Sequence, residues 1–289
     1  MISIIITARD EPETVAQLVA DLEKEIPNLG EHFEILIICP DEKTKKAALK
    51  NDCLDLVKWV RDKGKGKPAA INIGLKKAKG KILIMTDGDV VIGPGAIGYL
   101  LARFNSPRVG AVSGRPVAMN SKNNLFGYWA HLLTEAGAHQ QRLEQEKKNA
   151  FVDASGYLMA VRKGLVTAIP ADSLADDAVI SRITWDKGYF VRYAPKARVY
   201  VKFPDNFSDW LIQKKRSAGG YFRADKMRGF LKESWGIWRA LSYPRGVKEL
   251  FWTFLLILAR LYLWLAIFWE RKIINKPFNQ TWVRVESTK

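Results

Sequence analysis

The first 115 residues repeat one pattern: a short β-branched apolar run, a polar exit, then a stretch with helical spacing. Ser3–Thr7, Phe33–Cys39, Asp55–Val60, Lys81–Thr86 and Val109–Gly114 read as strands. Glu13–Glu25 sets Val15, Leu18, Val19 and Leu22 on one helical face, and Lys43–Lys50, Ala69–Ala78 and Pro94–Phe104 read as further helices. Runs this apolar are buried on both faces, and helices between them bring successive strands into one sheet in the same direction. The expected fold is α/β, a mainly parallel, Rossmann-like sheet wrapped by helices. Hydrophobic residues make up 48% of the 289, enough to bury a sizeable core. Only two cysteines occur, Cys39 and Cys53, which excludes a disulfide scaffold and fits a reducing compartment.

Sheets of this kind bind ligands outside the carboxyl ends of their strands. The four exits are Ala8-Arg9-Asp10-Glu11-Pro12, Pro40-Asp41-Glu42, Arg61-Asp62-Lys63-Gly64-Lys65-Gly66-Lys67 and Asp87-Gly88-Asp89. One polar exit is what any surface strand end looks like. Carboxylates at all four, with a Gly/Lys loop at one, point to a phosphate-plus-metal site. In Asp87-Gly88-Asp89, alternation sends both carboxylates to the same side, and the glycine is expected to leave room for a ligand near the backbone. Paired carboxylates suit Mg²⁺ or Mn²⁺, which take oxygen ligands and bridge to phosphates. Gly64–Lys67 precedes a helix, where glycine-rich backbone and the helix N-terminus attract anions; the Walker A spacing is missing.

Together these residues resemble a family 2 glycosyltransferase of the GT-A fold over roughly Ile2–Tyr221. The opening A-x-N-E resembles Ala8-Arg9-Asp10-Glu11, the carboxylate after the second strand matches Asp41, and G-K-x-x-A-L-N-x-G-L resembles Gly66 to Leu75. The metal-binding D-x-D matches Asp87 and Asp89, and S-G-x-x-x-A-x-R resembles Ser155 to Arg162. The E-D pair followed by a helix and G-Y resembles Asp176-Asp177, then Gly188-Tyr189. The Q-x-x-R-W signature of the cellulose, chitin and hyaluronan synthases resembles Gln213-Lys214-Lys215-Arg216-Ser217, with Ser217 where the polymerases carry tryptophan.

The resemblance implies transfer of a sugar from a nucleoside diphosphate donor, a UDP-sugar in the first instance, by inverting direct displacement. It implies Asp177 as catalytic base, with Asp176, Gly156, Gln213 and Arg216 at the acceptor site. Ala8, Arg9, Glu11, Asp41, Lys67, Asn72, Asp87 and Arg216 would hold the nucleotide sugar, and Asp87 and Asp89 the Mg²⁺ or Mn²⁺. Read without it, Asp177 is equally a first-turn acid facing a helix dipole. His32, His131 and His139 read as ordinary histidines, and Trp129, Trp185 and Trp210 as core.

Charge adds a partner. The formal net charge is +16, and most of it follows Lys196: thirteen bases against five acids through Glu249, then six against two. No zinc-finger, RNP or basic-zipper pattern accompanies it, so a membrane surface is expected rather than nucleic acid. Leu250–Trp269 is long enough to cross a bilayer and carries one charge, Arg260. Basic residues lie on both sides, which also fits an in-plane helix, and Phe230–Leu241 reads as interfacial. The expected organisation is a catalytic domain over 1–228, then interfacial and hydrophobic helices and a basic tail over 229–289, at the cytoplasmic face of a membrane. The acceptor is then lipid-linked or a saccharide. The competing readings are a processive polysaccharide synthase, a non-catalytic basic adaptor, and a soluble protein that buries the apolar helix in a dimer interface.

Overall fold

The computed structural model describes residues 1–224, 238–273 and 286–288. The strands are β1 (Ile2–Thr7), β2 (Phe33–Cys39), β3 (Val57–Arg61), β4 (Ile82–Asp87), β5 (Val91–Ile92), β6 (Val109–Ala118), β7 (Leu158–Arg162) and β8 (Phe190–Val201). They form one sheet in the order β3-β2-β1-β4-β7-β6-β8-β5. From β3 to β4 the pairing is parallel and tightly registered, with Ile4 opposite both Ile35 and Ile84. Beyond β4 it turns antiparallel, β4 against β7, β7 against β6, and β5 against β8. The parallel half has the continuous apolar runs that two covered faces require. Along β6 and β8 buried and half-exposed positions intersperse, as antiparallel strands tolerate.

The helices over the first half are α1 (Pro12–Glu25), α2 (Glu42–Lys50), α3 (Lys67–Lys77) and α4 (Ala96–Leu101). α3 starts two residues before the sequence suggests, because Pro68 is acceptable in a first turn where its missing N–H has no partner to lose. α4 is shorter than Pro94–Phe104, since Gly95 takes φ 72° and the helix begins only after it. Ile4, Ile5, Ile6, Ile35, Ile37, Ile38, Leu83 and Ile84 are fully buried along the parallel strands, and Cys39 packs with them.

The chain divides into two compact units, Met1–Pro116 with Arg142–Val201, and Val117–Gln141 with Lys202–Lys289. The expected boundary at 228 lies outside the described residues, as does most of Phe230–Leu241. The first unit includes α7 (Asp176–Asp186). The helical stretch expected over Asn124–Gln145 begins in the second unit with α5 (Leu125–His131), passes through a π-helical segment (Leu132–His139), and continues as α6 (Gln140–Lys147), which from Arg142 onward belongs to the first unit. The Asn124 side chain caps α5 by accepting from Gly127 N at 2.8 Å. The second unit also holds α8 (Phe207–Ala224) and α9 (Val247–Phe268). Its core is Tyr128, Trp129, Leu132, Trp210, Leu256 and Ala259, so Trp129 and Trp210 are core residues as read. The Trp129 indole donates to Trp252 O at 2.8 Å, and Tyr128 Oη pairs with Thr253 Oγ1 at 2.7 Å.

One contact tests the parallel half. A Cβ placed on Gly80 would lie 2.4 Å from Ser3 N and 2.7 Å from Ile2 C, backbone atoms that no rotamer change can move. Gly80→Ala is expected to destabilise the protein by about 2–3 kcal/mol through overpacking, read by urea denaturation; an unchanged midpoint would refute the tight β1–β4 seam.

Candidate active site

Strand register assembles the site. β1 and β4 run level, so Thr7 lies opposite Asp87, the last residue of β4, and Thr7 Oγ1 donates to Asp87 Oδ1 at 3.3 Å. β7 runs antiparallel to β4 with Leu158 opposite Thr86, so the chain entering β7 passes the β4 exit. Thr86 Oγ1 donates to Tyr157 O at 2.7 Å, and Ser155 N donates to Ser113 Oγ at 3.0 Å, which pins the Ser155-Gly156-Tyr157 turn. The start of α7 closes on this turn: Gly156 N donates to Asp177 Oδ2 at 2.9 Å, and Ala178 N donates to Asp177 Oδ1 at 2.8 Å. From the first residue of α3, Lys67 Nζ reaches 2.6 Å from Asp87 Oδ1 and 3.4 Å from Asp176 Oδ2.

Lys67, Asp87, Gly156, Asp176 and Asp177, spread over more than a hundred residues of chain, therefore meet at one place. A Cβ on Gly156 would make only ordinary van der Waals contact with Asp177 Oδ2 at 3.4 Å and Lys67 Nζ at 3.5 Å, so it is the backbone N–H of this turn that the site uses. Burial pulls the Lys67 pKa down, but Asp176 and Asp87 outweigh it and hold the ammonium well above the usual lysine range. Burial, then the neighbouring Asp176 charge, pushes the Asp177 carboxyl up to about 6, with the Gly156 N–H and Lys67 acting against them.

Around the β1 and β2 exits a second cluster forms. Asp41 caps α2, accepting from Thr44 N at 2.8 Å and from Asp10 N at 2.8 Å, with Asp10 held at φ 55°. Burial would raise the Asp41 pKa, but these N–H bonds outweigh it and keep the carboxyl below its usual range. Ala8 N donates to Ile38 O at 3.1 Å and Glu11 N to Thr44 Oγ1 at 3.0 Å, so the Ala8–Glu11 segment is fastened to β2 and α2. Gly88 differs from expectation. A Cβ there would stand 2.7 Å from both Ala8 Cβ and Glu11 Oε2 and 2.8 Å from Val15 Cγ2, so the space beside this glycine is filled by protein and not left to a ligand.

Asn72 spends both ends of its amide on Ile169, donating to its O at 2.9 Å and accepting from its N at 2.8 Å. Arg9 is exposed, and Asp89 is half-buried two residues beyond Asp87. Gln213, buried, and Arg216 lie on α8 in the second unit. Sequence reasoning passed over Thr7 and Thr44, and counted Asp62 only as one of the strand-exit acids. Asp62 is buried and accepts from Gly64 N, folding the loop in which Gly64 and Gly66 take positive φ; its signal was an acid at a strand exit just before Gly64-Lys65-Gly66-Lys67.

Among the described residues no three His, Cys, Asp or Glu side chains form a ready cage for a metal ion. Asp87 and Asp89 nonetheless suit Mg²⁺ or Mn²⁺, because such ions are commonly held by one or two carboxylates and complete their shell with substrate phosphates.

A family model, glycosyltransferase like family 2, matches residues 1–220. The chain belongs to glycosyltransferase family 2. This family 2 enzyme is similar to a probable glycosyltransferase, YdaM, of Bacillus subtilis, 24% identical over 233 residues, 76% of this chain and 54% of that protein. It is 25% identical to a poly-beta-1,6-N-acetyl-D-glucosamine synthase of Staphylococcus aureus over 160 residues, 54% of this chain and 39% of that one. The chain thus spans about half or less of the length of these curated relatives. Two solved structures share its GT-A fold. A Pyrobaculum calidifontis mannosyltransferase in complex with GDP-Man and Mn²⁺ has TM-score 0.54 and 16% identity, covering 97% of this chain and 85% of that one. A Mycobacterium tuberculosis glucosyl-3-phosphoglycerate synthase in complex with Mn²⁺, UDP-glucose and phosphoglyceric acid has TM-score 0.55 and 13% identity, covering 78% and 79%.

In this family 2 member the ammonium of Lys67 is the cation that lies among three carboxylates. Lys67→Met is expected to raise the Asp177 pKa further above about 6, followed by carboxyl carbon NMR across pH. An Asp177 titration that stays put, or falls, would contradict the cluster.

Proposed function

We propose that this enzyme transfers a sugar from a nucleoside diphosphate sugar, a UDP-sugar in the first instance, to a hydroxyl of a lipid-linked or saccharide acceptor. It does so with inversion, at the cytoplasmic face of a membrane. The observation that carries the reading is the meeting of Lys67, Asp87, Gly156, Asp176 and Asp177 at the exit of β4.

Asp177 is the base. Two backbone N–H groups fix its carboxylate, and a pKa near 6 makes it a stronger base than an ordinary aspartate while leaving it ionised at neutral pH. It takes the proton of the acceptor hydroxyl as that oxygen attacks the anomeric carbon and the bond to the diphosphate breaks. Direct attack from the opposite face inverts the centre and needs no enzyme nucleophile. Asp176, Gly156, Gln213 and Arg216 serve the acceptor side, with Arg216 also facing the departing phosphates. Lys67 gives positive charge to the same phosphates, and Ala8, Arg9, Glu11 and Asp41 line the nucleotide. Asn72 contributes by fixing α3, and so Lys67, against the Ile169 segment. Mg²⁺ or Mn²⁺ held by Asp87 and Asp89 would supply the remaining charge stabilisation for the leaving diphosphate.

A second reading, polymer synthesis, draws on the name of the S. aureus relative. Ser217 in place of tryptophan speaks for single addition, and the length of the product chain on a mass spectrometer separates the two.

Asp177→Asn should lose transfer by at least about 10²-fold while keeping nucleotide binding by calorimetry. Wild-type kcat/KM should rise with pH through about 6 and then level, because the base works only when ionised. Full activity of Asp177→Asn with a dead Asp176→Asn would move the base by one residue. Asp89→Ala is expected to cost about 10²–10³ in rate at saturating Mn²⁺, measured by release of the nucleoside diphosphate. Undiminished turnover in that variant, or in wild type under excess chelator, would remove the metal from the scheme.

A further inference from the structure

α9 has two unlike faces. Thr253, Leu256, Ala259, Leu263 and Ile267 are buried within the second unit. On the opposite side Phe251 (58%), Phe254 (54%), Leu258 (45%), Leu261 (56%), Leu265 (68%) and Phe268 (58%) are open, an apolar stripe running the whole helix with no charge in it. By length and composition α9 qualifies to cross a membrane. Its 22 residues make about 33 Å, the thickness of a bilayer's hydrocarbon core.

Its fastenings argue otherwise. At the amino end Tyr128 Oη holds Thr253 Oγ1 at 2.7 Å, and Trp129 holds the carbonyl of Trp252 at 2.8 Å. Midway the Phe207 and Tyr262 rings meet at 5.9 Å, and past the carboxyl end Lys215 Nζ pairs with Glu270 Oε1 at 2.6 Å. α5 therefore holds the amino end of α9, and α8 its later turns. α8 carries Asp209, Lys214, Lys215 and Arg216, so a spanning α9 would drag these charges into hydrocarbon or tear off its partners.

We propose that α9 is a monotopic in-plane helix: its buried face stays docked on α5 and α8 while the open stripe sinks into one leaflet of an anionic bilayer. This rests on, and sharpens, the membrane association proposed above. Lipid is the occupant that the charge selects. The chain from Lys196 onward carries a large basic excess, which anionic headgroups match, whereas a second copy on the same stripe would set like charge against like. Phe251 near one end and Trp269 at the other suit the headgroup boundary.

The test uses the full chain. With Cys53→Ser removing the exposed thiol and Cys39 buried, single cysteines go in as Val247→Cys and Lys289→Cys. In spheroplasts of expressing bacteria a membrane-impermeant maleimide is expected to label neither position, and after lysis both. Labelling of Lys289→Cys in intact spheroplasts means that α9 spans, and overturns the proposal while leaving membrane association standing. In vesicle flotation, phosphatidylcholine with phosphatidylglycerol should bind the protein at least tenfold better than phosphatidylcholine alone. Leu258→Glu with Leu265→Glu should reduce that binding at least tenfold with an unchanged circular dichroism spectrum. Unchanged binding of the double variant overturns the face assignment. Protein that floats with neither vesicle, and sediments as a dimer which the double variant dissociates, overturns both the proposal and the membrane reading beneath it.

Discussion

The candidate active site depends on one ammonium group among three carboxylates. Lys67 lies 2.6 Å from Asp87 and 3.4 Å from Asp176, and Asp177 is next in the chain. Without that cation, like charges at the exit of β4 and the start of α7 would repel in a partly buried space, and the two segments would part. With it, the segments that deliver the carboxylates can close, and Asp177 is left with a raised pKa and two backbone donors that fix its orientation. The same burial and neighbouring charge that make the site costly to assemble are what raise the Asp177 pKa, as the proposed base requires.

Rigid backbone makes this balance possible. Parallel register sets Thr7 beside Asp87, and antiparallel register sets the Gly156 turn beside the same strand end. The change of pairing direction at β4–β7 thus brings the turn whose Gly156 N–H donates to Asp177 beside the strand exit that carries Asp87. Glycine serves this geometry at Gly88, which lets the β4 exit close on Ala8 and Glu11.

The second unit follows different physics. Its aromatic core fastens α9 along one face by ring packing and two hydrogen bonds, and leaves the other face apolar and open. Hydropathy averages over the two faces, so composition cannot tell a spanning helix from a docked one. The buried stripe, Thr253, Leu256, Ala259, Leu263 and Ile267, and the exposed stripe of phenylalanines and leucines are both free of charge.

Local rules reach as far as the spacing of apolar residues and the chemistry of strand exits. From these the α/β class, the parallel strands β1 to β4 and the helices α1 to α3 were legible, and Asp41, Asp87 and Lys67 stood out at the strand exits, because periodicity and strand-exit chemistry are properties of contiguous chain; Asp177 came into view only through the family resemblance. The antiparallel half of the sheet was not, since pairing direction depends on which distant strand is adjacent. Nor was the use of Asn72 as a clamp on Ile169, 97 residues away, or of Asp62 as the fold of the Gly/Lys loop. The space beside Gly88 read as open in one dimension and is filled in three, by Ala8, Glu11 and Val15 arriving from α1 and the β1 exit. Sequence determined which groups the protein could use; tertiary packing decided which of them share a few ångströms, because proximity between residues far apart in the chain is created only by the burial of the surfaces between them.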